Sequence, residues 1–174
     1  MRGPNFQLTL LRRSSQTISR IAAIVSLLGI SSMALGQDQN LAAPSDAILA
    51  RKTMMDSLSE KMDTIEAMIA SGKIELDAAH ENADTISVFL MAFPHLFPTA
   101  TNQWKPNVDK DPVTDTFASP ELWTKFADFY RQASAASKSA YTASRATNET
   151  ELKAAIAQLR TGCNSCHAAY LKTD

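Results

Sequence analysis

Apolar residues recur along four segments of this chain at steps of three and four, with polar residues between them. The apolar positions of the first segment are Ile48, Met55, Leu58, Met62, Ile65 and Ile69. Those of the second are Leu76, Ala79, Ala83, Ile86, Leu90 and Phe93. Those of the third are Leu122, Phe126, Phe129, Ala133, Ala136 and Ala140, and those of the fourth are Leu152, Ile156, Leu159, Cys163, Cys166 and Tyr170. This spacing predicts four amphipathic α-helices.

The connections between these segments predict an antiparallel four-helix bundle, an all-α fold. The link at 70–73 is short, so the first two helices should be neighbours. Residues 94–118 lack periodicity and are rich in proline, which indicates a long crossover connection. Asn148, with Glu151 three residues later, is typical of the capping box that opens a helix, here the fourth.

Residues 1–36 differ in character from the rest of the chain. They hold four arginines and no acidic residue, followed by an apolar run over 21–30 and small residues up to Gly36. This order predicts a cleavable secretory signal peptide over 1–36 and a mature domain over 37–174. The alternative is a retained membrane anchor, but the run over 21–35 is interrupted by glycine and serine and is short for a span of roughly 20 residues. We therefore expect no stable membrane insertion after cleavage.

Cleavage would change the charge of the protein. The whole chain has a formal charge of −1, which argues against a general nucleic-acid binder. Loss of residues 1–36 leaves 13 basic and 18 acidic side chains, a net charge of −5. Such an acidic domain is expected to meet partners that have basic docking surfaces.

The two cysteines lie in the pentapeptide Cys163-Asn164-Ser165-Cys166-His167, a C-x-x-C-H motif. This motif predicts covalent attachment of one c-type haem, because two thiols add to the vinyl groups and the adjacent imidazole binds iron. A thioredoxin-like dithiol would need a βαβ context, and zinc would need ligands beyond the two unpaired histidines at 80 and 95. A disulfide across one helical turn would close almost no loop. Both cysteines belong to the apolar face of the fourth helix, so we expect haem inside the bundle near the C-terminal end of that helix.

A C-x-x-C-H motif on the last helix of a four-helix bundle resembles the cytochrome c-prime family, the class II c-type cytochromes. Residues 118–123, ASPELW, resemble the motif that opens the third helix of that family, and 96–98, LFP, resemble the start of its loop. Residues 51–55, RKTMM, resemble the first-helix segment that runs beside the haem. The resemblance covers the mature chain and implies a periplasmic protein, often a homodimer through its first two helices.

The resemblance also implies roles for single residues. Arg51 would contact a haem propionate, the alternative being a charge that faces solvent. Lys52 stands where many relatives have glutamine, and Leu171 stands where the family often has arginine or lysine, four residues after the histidine. Leu171 cannot donate a hydrogen bond beside the haem, which weakens a gas-sensing interpretation based on that position.

His167 is the predicted fifth iron ligand, and the residue on the opposite face of the haem decides the function. Met55 is about 15 Å into the first helix, and His167 is about 10 Å from the end of the antiparallel fourth helix, so the two are at similar heights. The methionines at 54 and 68 lie off the apolar face, and Met62 lies deeper. In the family, the position of Met55 holds either a ligating methionine or a residue that only covers the haem.

We therefore predict a low-spin haem bound by His167 and Met55, of the kind that carries single electrons between redox proteins. Such a protein is an electron carrier and not an enzyme. The alternative is a five-coordinate cytochrome c-prime that binds NO or CO, for gas buffering or sensing.

Overall fold

The structure, a computed structural model, describes residues 43–172, and the predicted signal peptide lies outside this range. Its α-helices are α1 (Pro44–Ser71), α2 (Leu76–Ala92), α3 (Glu121–Thr124), α4 (Phe126–Ala143) and α5 (Glu149–Tyr170). Two short 3₁₀ helices, Phe93–Leu96 and Thr99–Thr101, begin the crossover connection. The only extended pairing within the described range is an isolated antiparallel bridge between Ala118 and Leu171. The predicted all-α four-helix bundle is confirmed.

The predicted helix boundaries follow from local chemistry. Gly72 ends α1 with a left-handed backbone (φ 68°), and its N–H donates to the carbonyl of Ile69. At the start of α5, the Asn148 side chain accepts the N–H of Glu151 at 3.0 Å. The Glu151 carboxylate in turn accepts the N–H of Thr147 at 2.8 Å. These reciprocal bonds satisfy N–H groups that have no partner inside the helix.

The third predicted helix is interrupted, which corrects the expectation of one continuous element. Lys125 has φ −117° and ψ 33°, outside helical geometry, and it separates the single turn α3 from α4. The helical phase of α3 therefore does not continue into α4. Phe129 is buried in the core, whereas Phe126, which the periodicity assigned to the core, is exposed.

Two groups of buried side chains form the core. The larger fills the body of the bundle with aliphatic residues of α1, α2 and α5 against the small alanines of α4. The second is mostly aromatic and consists of Phe93, Phe97, Leu122, Phe129 and Tyr170. Met54 and Met55 pack against both groups. This aromatic group therefore marks the end of the bundle where α1 begins and α5 ends.

The helices pack in the order α1, α2, α4, α5. The backbones of α1 and α5 approach each other less closely than those of the other neighbouring pairs. This α1–α5 seam is the side of the bundle at which the cavities described below are found. No helix within residues 43–172 has the combination of length and hydrophobicity needed to cross a membrane.

Candidate haem site

A cavity of about 450 Å³ lies between α1, the crossover connection and the C-terminal part of α5. A smaller cavity of about 90 Å³ adjoins it deeper in the bundle. Both cavities are lined by Met55, Phe93, Phe129, Cys166 and His167. The volume of the larger cavity falls within the range typical of cofactor sites, so this end of the bundle has room for a prosthetic group.

The C-x-x-C-H motif faces these cavities from the last turns of α5. Cys163 lines the smaller cavity and Cys166 lines both. The thiols are half-buried and are not joined in a disulfide. Burial raises the pKa of Cys166 to about 11 and also raises the pKa of Cys163. Both sulfurs are therefore protonated thiols at neutral pH in the chain without haem.

His167 lines both cavities beside Cys166. His167 is exposed as a whole residue, but partial desolvation of its ring, followed by the charge of Arg160, lowers the pKa of the imidazole. A lowered pKa favours the neutral ring, which is the form that binds a metal ion. No other side chain in the described range forms a hydrogen bond with this ring, so both ring nitrogens are available.

Met55 is the methionine of α1 that lines both cavities. It is half-buried, and His167 lines the same cavities from α5. Met54 packs against the same core groups but lines neither cavity. Met62 is buried and lines only the smaller, deeper cavity. The structure therefore brings Met55 and His167 to the same space from the two neighbouring helices α1 and α5.

Arg51 is 4% exposed, so the alternative of a solvent-facing charge is wrong. Its guanidinium donates to the hydroxyl of Thr101 at 3.0 Å and to the hydroxyl of Thr116. The same group lies 4.6 Å from the centroid of the Phe97 ring and 5.9 Å from that of Trp123. Burial lowers the pKa of Arg51 to about 10, which still leaves it charged at neutral pH.

The partners of Arg51 are neutral, and no carboxylate within residues 43–172 forms an ion pair with it. Burying an unpaired charge is costly, so buried charges are normally paired. Since Arg51 lines the larger cavity, an anionic group bound there would supply the missing partner. The carboxylates of a haem fit this requirement, and the two thiols and the imidazole fit its attachment.

Zinc does not fit the same residues. The other two histidines, His80 and His95, line neither cavity. The described residues contain no group of three or more His, Cys, Asp or Glu side chains arranged to hold a metal ion. A redox dithiol of the thioredoxin type would need strands that the described range does not contain.

Several contacts of the site had not been predicted from the sequence. Lys52 lines the larger cavity and donates to the backbone carbonyl of Asp115 at 2.6 Å, which fastens the crossover connection to α1. Thr101 and Thr116, the partners of Arg51, lie 50 and 65 residues away from it, and no local spacing indicates them. One signal was present, however. The apolar face of α1 skips from Ile48 to Met55, and Arg51 occupies the skipped position on that face.

Comparisons with known proteins place the fold among the cytochromes c′. The structure is similar to that of cytochrome c′ from Thermochromatium tepidum, with a TM-score of 0.65, 20% identity, and coverage of 74% of this chain and 96% of the other. It is also similar to a cytochrome c′ with ligand-controlled dimer dissociation, with a TM-score of 0.64, 19% identity, and coverage of 75% and 97%. A third match is the nitric oxide complex of a point mutant of cytochrome c′ from Alcaligenes xylosoxidans, with a TM-score of 0.62, 19% identity, and coverage of 76% and 98%.

No curated protein sequence matches the chain significantly. At these identities the structural similarity establishes the fold alone. The sequence model of the cytochrome c′ family matches residues 46–171, which span α1 to the end of α5. The chain therefore belongs to the cytochrome c′ family of c-type haem proteins.

Proposed function

We propose that the chain carries one haem c, attached by thioether bonds to Cys163 and Cys166. His167 binds the iron, and Arg51 pairs with a propionate. The position of both cysteines and the histidine along the cavities supports the attachment. The buried charge of Arg51, with only hydroxyl partners, supports the contact with a propionate.

We further propose that the protein binds a diatomic gas, NO or CO, at the sixth position of the iron. The observation that carries this proposal is that Met55, on α1, lines the same two adjoining cavities as His167 and is only half-buried there. A methionine is flexible, so it covers the position without filling it rigidly. The nitric oxide complex of a matched cytochrome c′ supports a gas as the ligand. This function replaces electron transfer as our leading hypothesis.

The residues around the site would favour a small apolar ligand. When bound, the haem supplies the iron to which the gas coordinates. Phe93 and Phe129 line both cavities with apolar aromatic rings. His167, on α5, would hold the iron, and the flexible side chain of Met55, on α1, would move aside to admit the gas. No reaction on a substrate is needed, so we propose a binding protein for gas buffering or sensing and not an enzyme.

Electron transfer through a His/Met-ligated haem is the second candidate. It is favoured by one observation, namely that Met55 lines the same cavities as His167, whereas Met54 does not. A methionine sulfur would give a six-coordinate, low-spin iron with a raised potential. The acidic mature domain would then exchange electrons with redox proteins that have basic docking surfaces.

The optical spectrum of the haem-loaded protein, combined with a Met55→Leu variant, tests the two functions. Leucine keeps the volume of methionine but has no sulfur. For the gas-binding function we expect a high-spin spectrum, CO binding to the reduced protein, and little spectral change in Met55→Leu. A methionine–iron charge-transfer band that Met55→Leu abolishes would reject that function in favour of the electron carrier.

We also propose that the mature protein is periplasmic and forms a homodimer. The basic, then apolar, then small-residue order of residues 1–36 supports export. The matched cytochrome c′ with ligand-controlled dimer dissociation supports a dimer. Cell fractionation with N-terminal sequencing tests export, and a protein that begins at Met1 in the cytoplasm would reject it. Sedimentation at several protein concentrations, with and without CO, tests the dimer.

A further inference from the structure

An ion pair links α5 to α1 across the seam between these two helices. Arg160 donates from Nε to Oε1 of Glu66 at 2.8 Å and from Nη2 to Oε2 at 2.6 Å. Asp63, one turn earlier on α1, lies 3.7 Å from the same guanidinium. The Arg160 and Glu66 side chains are 36% and 39% exposed, so the pair is partly shielded from water. A bidentate pair of this kind fixes geometry as well as contributing energy.

This pair lies at the inner end of the candidate haem site. Arg160 lines the smaller cavity together with Cys163 and His167. Arg160 is about 10 Å along α5 from His167, and Glu66 is about 16 Å along α1 from Met55. The pair thus crosses the seam beside the smaller cavity, which Arg160 lines. Because the two backbones approach each other less closely than the other neighbouring pairs, this link is well placed to set their separation.

We propose that Arg160 and Glu66 form a clasp that fixes the separation of α1 and α5 and thereby holds Met55 over the sixth position of the haem. Arg160 is a positioning residue, since it acts on the ligand site through the placement of α1. The proposal rests on the proposed haem attachment and gas binding. The alternative is that the charge of Arg160 acts directly on His167 and needs no contribution from Glu66. In that case, replacing Glu66 would leave the haem site unchanged.

The test is a double-mutant cycle on the haem-loaded protein, with Arg160→Gln, Glu66→Gln and the double variant. The readouts are the haem absorption spectrum and the rate of CO association after flash photolysis. If the clasp exists, each single variant and the double variant give the same change, because either one breaks the link. We expect CO association to be faster by about three- to tenfold, as Met55 covers the position less firmly.

Two further variants separate geometry from charge and from general stability. Glu149→Gln removes an exposed ion pair with Lys153 on the same helix and should leave both readouts unchanged. The exchanged pair Arg160→Glu with Glu66→Arg should return the CO rate toward the wild-type value, because the link re-forms with the cation on α1.

The proposal is overturned if Arg160→Gln alters the spectrum while Glu66→Gln does not, since Arg160 then acts by its charge alone. It is also overturned if the variants lower the melting temperature but leave the CO rate and spectrum as in the wild type. Failure of the proposed gas-binding function would be recognised separately, by a methionine–iron band in the absorption spectrum of the wild-type protein. In that case the clasp predicts loss of this band in both single variants, and its retention in both rejects the clasp.

Discussion

Replacing Arg51 by methionine should lower the free energy of unfolding of the haem-loaded protein by about 3–5 kcal/mol at pH 7. The net contribution of the contacts within the chain is too small to account for such a loss. The two hydrogen bonds to Thr101 and Thr116 contribute about 1.5–3 kcal/mol each, and the stacking on Phe97 adds up to about 2 kcal/mol. The burial of the guanidinium costs several kcal/mol and largely offsets these gains. A loss of about 3–5 kcal/mol in the free energy of unfolding would therefore indicate a buried anion that Arg51→Met leaves without its partner.

Urea unfolding followed by circular dichroism at pH 7 and near pH 3 measures this loss. The pKa of Arg51 is lowered only to about 10, so the guanidinium stays charged over this range. Of the two partners in the proposed pair, only the anion therefore changes its charge. A paired carboxylate has a depressed pKa in the folded state, so its contribution is present above its unfolded pKa of about 4 and is lost as the pH falls through the folded value. The effect of Arg51→Met should therefore shrink in acid.

The matched control is Arg145→Met, which removes a cation whose side chain is 63% exposed. Its effect should stay within about 0.5 kcal/mol at both pH values. The reasoning about a bound propionate is refuted if Arg51→Met costs less than about 1 kcal/mol at pH 7, since the contacts inside the chain then suffice. It is also refuted if the cost is the same at both pH values.

Three other changes test separate parts of the structure. Cys163→Ala combined with Cys166→Ala should leave haem extractable into acidified organic solvent, whereas retention of the pigment by the protein would contradict thioether attachment. Tyr170→Phe should lower the urea midpoint at pH 7 but not near pH 2, because the Tyr170 hydroxyl donates to Asp128 and this bond lowers the Asp128 pKa, so its contribution is lost as Asp128 is protonated. Asn148→Ala should cost about 1 kcal/mol in urea unfolding, and an unchanged midpoint would contradict the cap.

Much of the fold follows from residue spacing alone. Periodic apolar residues located the four long helices, and Asn148 with Glu151 located the start of α5. The break at Lys125 was not predictable in this way, because Phe126 and Phe129 both continue the apolar steps of the preceding turn. The turn α3 is fixed by contacts outside its own helix, including the bond from the Trp123 indole N–H to the carbonyl of Phe97 at 3.2 Å.

The site residues that were predicted lie on two regular helices, Arg51 and Met55 on α1 and the C-x-x-C-H motif on α5. Cys163, Cys166 and His167 are identified by a motif whose spacing matches one helical turn. The partners of Arg51 belong to the crossover connection, which has no periodicity, so their position depends on the tertiary fold. The link between Arg160 and Glu66 spans 94 residues, and neither residue is distinguished by its neighbours in the sequence.

The skipped position on the apolar face of α1 connects these observations. A charged residue on a buried helix face is costly, so Arg51 is best explained by a function and not by packing. Arg51 precedes Met55 by one helical turn, and both line the larger cavity. A propionate paired with Arg51 would therefore hold the haem against α1, one helical turn from Met55. If the proposed haem site and the proposed link between Arg160 and Glu66 are correct, Arg51 and the α1–α5 separation together would set how closely Met55 approaches the iron, and this approach would decide between a bound gas and a methionine sulfur as the ligand.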